Sequence, residues 1–176
     1  MTYEEAQKIL DNVNKISYPK LQNIVKNPVY AQKLYEDFSG NMGELSTILQ
    51  YIYEHINIDN QNDVSKIMLS ICIVEMKHLN MIGNLIKELG LPSYYIDSNL
   101  KPWNTDYIKY DTGNIKETMQ YNIYLERESI KGYKRAIMGT RNITIQRLLN
   151  RIVLDERTHV DIFTRLINEN INLSPM

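Results

Sequence analysis

The sequence predicts an all-α protein: a four-helix bundle with one long crossover and an extra short helix at its N-terminal end. Three observations support this. Apolar residues recur at helical spacing in four long stretches, and nothing shows the sustained alternation of strands. Gly and Pro fall between those stretches, where they stop helices. One linker, residues 93–114, is much longer than a turn requires.

A chain of 176 residues suits a single domain, 1–176, with a substantial core. Its bundle occupies about residues 29–170. Thr2 and Glu5 form a capping box, and Ala6, Ile9, Leu10 and Val13 follow at helical spacing. That short helix ends before Pro19 and serves as a brace across the bundle or as a contact with a second copy. Asn27 followed by Pro28 opens the first long helix, whose inward stripe reads Leu34, Phe38, Leu45, Ile48, Ile52 and Ile56. Gly40 and Gly43 inside it each cost about 1 kcal/mol relative to Ala and allow a kink.

The second long helix opens at Asp63, carries Ile67, Ile71, Ile82, Leu85 and Leu89 inward, and closes at Gly90 and Pro92. The third runs from Asn114 to Gly139 with Met119, Ile123, Ile130, Tyr133 and Ile137 on one face. The fourth runs from about Asn142 to Asn170 on Ile145, Leu149, Ile152, Phe163 and Leu166. Between the second and third lies SYYIDSNLKPWNTDYIKYDTGN, too aromatic for a disordered tether. It can cross the whole bundle, so that the third helix runs parallel to the second. Trp103 and the linker tyrosines are expected along the outside of the helices.

Lys plus Arg is 20 and Asp plus Glu is 21, without a basic patch, which argues against a nucleic-acid partner. No run of about 18 apolar residues exists to span a membrane, and MTYEEAQKIL has no apolar leader region. Cys72 is the single cysteine, so neither an intrachain disulfide nor a four-cysteine metal centre is available. A cytoplasmic protein is expected.

The inward faces carry one kind of exception, at the middle of each long helix: Glu44, Glu75 with His78, Glu126, and Glu156 with His159. Residues three apart on a helix are neighbours, so a Glu-x-x-His pair can aim carboxylate and imidazole at one point. Four carboxylates match two divalent cations in charge, which avoids buried uncompensated charge. No inward Lys or Arg is available to do this instead. An oxygen and imidazole set suits iron or manganese. The pattern Glu-x6-Tyr … Glu-x-x-His also occurs twice, at Glu44/Tyr51 … Glu75/His78 and at Glu126/Tyr133 … Glu156/His159. The two copies are offset by 82 and 81 residues, as two pseudo-symmetric helical hairpins around one centre would be. Tyr51 and Tyr133 are expected to hydrogen-bond a ligand. Cys72 reads as a packed thiol, and His55 as a residue favoured by its helix's C-terminal end.

This pattern resembles the ferritin-like di-metal carboxylate superfamily. GELSTILQYIYE, residues 43–54, and EMKHLNMI, residues 75–82, resemble manganese catalases and their spore-coat relatives. The whole chain is similar to small clostridial proteins of the rubrerythrin family. The resemblance implies a ferritin-like bundle with two metal ions per chain, iron or manganese. Glu75 and Glu156 would bridge them, His78 and His159 would be terminal ligands, and Glu44 and Glu126 would complete the set. The same six residues would be the catalytic ones. The activity implied is breakdown of hydrogen peroxide, by disproportionation or with an external electron donor, in a homo-oligomer. Alternatives are an iron-binding ferroxidase using oxygen, or a structural protein of a spore coat. Two departures stand out. The sequence has no Cys-rich rubredoxin-type segment, and the position one turn after Glu126, an additional Glu in rubrerythrins, is Ser129. Glu128 is no substitute, since two residues turn a helix by about 200°.

Overall fold

The computed structural model describes residues 1–58, 63–110 and 114–171, with side chains described as far as residue 169. The helices are α1 (Tyr3–Asn14), α2 (Pro28–Ser39), α3 (Glu44–Asn57), α4 (Asp63–Glu88), α5 (Ile115–Met138) and α6 (Ile143–Ile171). No strand occurs among the described residues; the linker adds one 3₁₀ turn, Thr105–Tyr107. No helix among them is long and apolar enough to cross a membrane.

The expected first long helix is in fact two. α2 stops at Ser39 and α3 begins at Glu44, because Gly40 and Gly43 press against the end of α2. A Cβ on either would lie 2.6 Å from the Glu36 carbonyl oxygen, so only glycine permits this approach. Ser46 Oγ donates to Gly40 O at 2.7 Å and ties the break together. The restart sets a new register for α3. Ile48, Tyr51 and Glu54 face inward, and Ile56, expected in the stripe, is 70% exposed instead.

The capping box of α1 forms as its sequence requires. Ala6 and Leu10 are buried, and Ser70 Oγ donates to Gln7 Oε1 at 3.2 Å, so α1 braces α4 and α6 of its own chain. Asn27 N donates to Leu89 O, which places the start of α2 beside the end of α4.

The linker then returns along α2 and α3. Ser39 Oγ donates to Ile96 O at 2.8 Å, and Trp103 Nε1 donates to Ser46 Oγ at 3.0 Å. Tyr35 and Tyr53 donate to the carbonyls of Pro92 and Tyr110. In all four pairs the partners are 57 residues apart, so the linker advances in step with the helices, about 1.5 Å per residue. It therefore reaches the far end of the bundle before α5 starts, and α5 runs parallel to α4. Residues 111–113 of this linker lie outside the described residues.

α3 packs on α4 and α5 on α6. One apolar cluster includes Tyr51, Ile67, Ile71, Met119 and Phe163. The other includes Leu34, Ile82, Leu85, Tyr133 and Ile152. Between them, at the middle of α4 and α6, lies a layer of buried carboxylates and imidazoles.

Candidate metal centre

Each residue of this layer arrives from a different turn of the bundle. Glu44 is in the first turn of α3, Glu75 and His78 are on α4, Glu126 on α5, and Glu156 and His159 on α6. All six side chains are 3% exposed or less. The structure brings all six together.

His78 Nδ1 lies 2.9 Å from Glu75 Oε2, 3.1 Å from Glu156 Oε1 and 3.7 Å from Glu44 Oε2. His159 Nδ1 lies 2.8 Å from Glu75 Oε1, 3.5 Å from Glu126 Oε2 and 3.7 Å from Glu156 Oε2. Glu75 and Glu156 thus each offer one oxygen to either histidine. The result is two overlapping groups, Glu44/Glu75/His78/Glu156 and Glu75/Glu126/Glu156/His159. Within each group one ligand atom per residue lies within 4.8 Å of the others.

Several of these atoms are buried without a hydrogen bond: Glu75 Oε1, Glu126 Oε2, Glu156 Oε1 and both ring nitrogens of His159. His159 Nδ1 is close to Glu75 Oε1 yet the pair lacks hydrogen-bonding geometry. Buried lone pairs left without a partner are costly, and cations among them would be bound by those carboxylate oxygens and by an imidazole nitrogen that has given up its proton. The donor set therefore fits metal on its own chemistry.

A family model described as manganese containing catalase matches residues 8–91, just under half of the chain. A Clostridium acetobutylicum protein described as a probable manganese catalase is 22% identical over 165 residues, covering 82% of this chain and 72% of that one. Among solved structures, KatB, a manganese catalase from Anabaena PCC7120, superposes with TM-score 0.79 at 25% identity, over 85% of this chain and 76% of that one. The bacterioferritin of Desulfovibrio desulfuricans, described with its diiron site, superposes with TM-score 0.67 at 21% identity, over 85% and 86% of the two chains. The chain has the ferritin-like fold of the di-metal carboxylate proteins.

In this ferritin-like bundle the six groups share protons. Burial, then the Glu75 charge, pushes the Glu44 carboxyl well above its usual range. Burial and the Glu156 charge push Glu126 up to about 8. Burial also opposes ionisation of Glu75 and Glu156, but neighbouring imidazoles and hydrogen bonds outweigh it and hold both below the usual value. Burial works against charging His78 and His159 too, yet the facing carboxylates raise both well above an ordinary histidine. The two lowered carboxyls, Glu75 and Glu156, thus face the two raised imidazoles, His78 and His159. Among the described residues these rings are the cationic groups found within 4.0 Å of the four Glu carboxylates.

Tyr51 and Tyr133 reach this layer by crossing over. Tyr51 on α3 donates to Glu126 Oε1 at 2.5 Å, and Tyr133 on α5 donates to Glu44 Oε1. Burial, then the adjoining carboxylate, keeps both phenols neutral by raising them well above 10.

The sequence reading missed a second set of polar residues. His78 Nε2 is 3.1 Å from Asp155 Oδ2, and Asp155 pairs with Arg151 at 2.5 Å and receives the Tyr18 hydroxyl at 2.6 Å. Burial would raise Asp155, but the bonds from His78, Arg151 and Tyr18 bring it to about 2. An ionised carboxylate only accepts, so Nε2 carries the proton and Nδ1 faces the centre. The available signal was Arg151 four residues before Asp155, a charged pair on one face of an apolar helix. Glu54 was missed as well. It is buried below Tyr51, where it accepts from Gln50 Nε2 at 2.8 Å and Asn122 Nδ2 at 2.6 Å.

Other expectations can be placed directly. Cys72 is fully buried, its Sγ 3.6 Å from Ile48 O, with burial pushing the thiol up to about 12. Glu128 points outward to Lys131. His55, at the end of α3, donates from Nδ1 to Ser65 O at 2.8 Å, a tie to α4 beyond any dipole effect. Ser129 Oγ donates to Met42 O at 3.4 Å.

Proposed function

We propose that the six side chains hold two divalent metal ions, with Glu75 and Glu156 shared between them, and that the protein breaks down hydrogen peroxide there. The observation that supports this most is the division of the Glu75 and Glu156 oxygens between two histidines. The match to the manganese catalase model and the likeness to KatB favour manganese and peroxide. Two redox-active ions, when bound, would supply the two electrons for cleaving an O–O bond.

The protein's own residues have definable parts in this. Glu44 and Glu126 bind one position each, His78 and His159 orient toward the two positions, and the apolar clusters above and below exclude bulk water. Tyr51 and Tyr133 hold their protons against Glu126 and Glu44 and so fix the carboxylates' orientation. Disproportionation requires no external electron donor, and the KatB likeness favours it over a peroxidase.

The test is metal analysis and oxygen evolution. Protein from cells given both metals should contain about two manganese per chain, lost in Glu75→Ala/His78→Ala, and should release oxygen from peroxide without reductant. Metal-loaded protein that needs a reductant would replace the catalase reading with a peroxidase one. The likeness to bacterioferritin supports a second reading, iron oxidation; about two iron per chain, with oxygen uptake but no peroxide turnover, would favour it.

A further inference from the structure

The two histidines that face the centre are supported unequally. His78 Nε2 meets Asp155 Oδ2 at 3.1 Å, and Asp155 is itself locked. Arg151 ion-pairs with its Oδ1 at 2.5 Å, and Tyr18 donates to its Oδ2 at 2.6 Å. Arg151 also donates to the last turn of α1 and to the segment that follows it. Its Nε donates to Ile16 O at 2.8 Å, its terminal NH2 donates to Val13 O at 2.9 Å, and its guanidinium lies 4.3 Å from the centre of the Tyr18 ring. Residues 13–18 therefore clamp Asp155 onto His78.

His159 has nothing comparable. Both its ring nitrogens are buried without a hydrogen bond. The repeat explains why. His78 and His159 are 81 residues apart, as are Glu75 and Glu156, so the position matching Asp155 is residue 74. That residue is Val74, which is buried and apolar. One half of the pseudo-symmetric centre has a carboxylate behind its imidazole, and the residue at the matching position of the other half has no polar side chain to offer.

A metal-binding imidazole depends on the acceptor at its other nitrogen, which sets its tautomer, its orientation and its basicity. Loss of such a partner typically costs about 10–100-fold in affinity. We propose that Tyr18, Arg151 and Asp155 form a positioning set that makes the His78 position the tighter of the two metal positions. The N-terminal segment is then part of the metal centre. This inference rests on the two-ion reading above. It follows that the first ion to enter occupies the His78 position, and the ion beside His159 is the exchangeable one. It follows too that releasing residues 13–18 loosens one ion and not the other.

The experiment is site-resolved loading of the full chain with manganese, read by anomalous diffraction at one equivalent and by titration to two. Wild type should show manganese at the His78 position at one equivalent, and two binding steps. Tyr18→Phe removes one hydroxyl and should weaken the tighter step about 3–10-fold. Asp155→Ala should weaken it about 10–100-fold, erasing or inverting the preference. Neither should change the weaker step. A residue that merely supports the fold would lower the melting temperature without altering which position fills first, so the occupancy ratio separates the two roles. Even filling in wild type, or an unchanged ratio in folded Tyr18→Phe and Asp155→Ala, overturns the inference while leaving two-ion binding intact. Absence of manganese from both positions overturns the two-ion reading and this inference with it.

Discussion

Tyr51 donates its hydroxyl to Glu126 Oε1 at 2.5 Å, from one helical hairpin to the other. The reciprocal pair, Tyr133 to Glu44, runs the opposite way. Each tyrosine follows a Glu of its own helix by seven residues but holds the Glu of the other half, so these bonds stitch the hairpins together across the centre. Both phenols are fully buried, and deleting one hydroxyl leaves a buried carboxylate oxygen without its donor. Tyr51→Phe should cost about 2 kcal/mol, which lowers the melting temperature by about 4–8 °C in a chain of this size. Thermal unfolding checks it; a loss below about 1 °C would mean that the bond contributes little.

The raised groups would make metal loading acid-sensitive. His78, His159 and Glu44 are raised well above their ordinary values, and Glu126 to about 8, so the folded chain holds these protons more tightly than the unfolded one does. A raised pKa means that the proton is retained below it and released above it. Divalent ions must displace protons held by these groups, and apparent affinity should rise with pH. Calorimetric titration of the protein with manganese in buffers of different ionisation enthalpy counts those protons. A count near zero would contradict the charge distribution described above.

Much of this was legible in the sequence, and the reasons for what was not are physical. The buried polar layer could be read because carboxylates and imidazoles interrupt stripes that are otherwise apolar, at spacings only a helix brings together. Helix direction followed from linker length. The break before Glu44 could be read only as a kink, since two glycines in a helix lower its stability without saying what approaches them; the Glu36 carbonyl supplies that reason. Ile56 was misplaced because the break shifts the register of α3. Asp155 was passed over because it neighbours Glu156, and adjacent helical residues point about 100° apart. Its partners Tyr18 and His78 are 137 and 77 residues away, and only the fold brings them near.

Glu54 should make the protein less stable in alkali. Burial raises its carboxyl to about 7 despite hydrogen bonds from Asn122 and Gln50. The unfolded chain gives up that proton near the ordinary value of 4.5, so the folded state holds an extra proton between the two. Stability from this group is complete at low pH and is lost as pH rises through 7. The neutral Glu54→Gln side chain avoids that loss, and Asn122 Oδ1, buried without a partner, can accept from the new amide. With chelator present, Glu54→Gln should be more stable than wild type by about 2–3 kcal/mol at pH 8 and about equal at pH 5. A variant that is weaker at both values would show that the carboxylate's hydrogen bonds outweigh its burial.

Gly43 is the position where backbone packing and the centre meet most directly. Its φ of −85° is open to any residue, so the constraint is space and not conformation. An added Cβ would sit 2.6 Å from Glu36 O and 2.9 Å from the backbone nitrogens of Ser39 and Gly40, and backbone atoms cannot turn aside as a side chain can. Gly43→Ala must push the start of α3 away from the end of α2, at a cost of about 2 kcal/mol. Glu44 is the next residue, so its carboxylate moves with that turn while Glu75, Glu126 and Glu156 stay on their own helices. The expected result is therefore selective. The melting temperature falls by about 4–8 °C, and the variant retains metal at the His159 position while losing it at the His78 position that Glu44 serves. Equal retention at both positions, measured by anomalous occupancy, would mean that the break absorbs the displacement before it reaches Glu44.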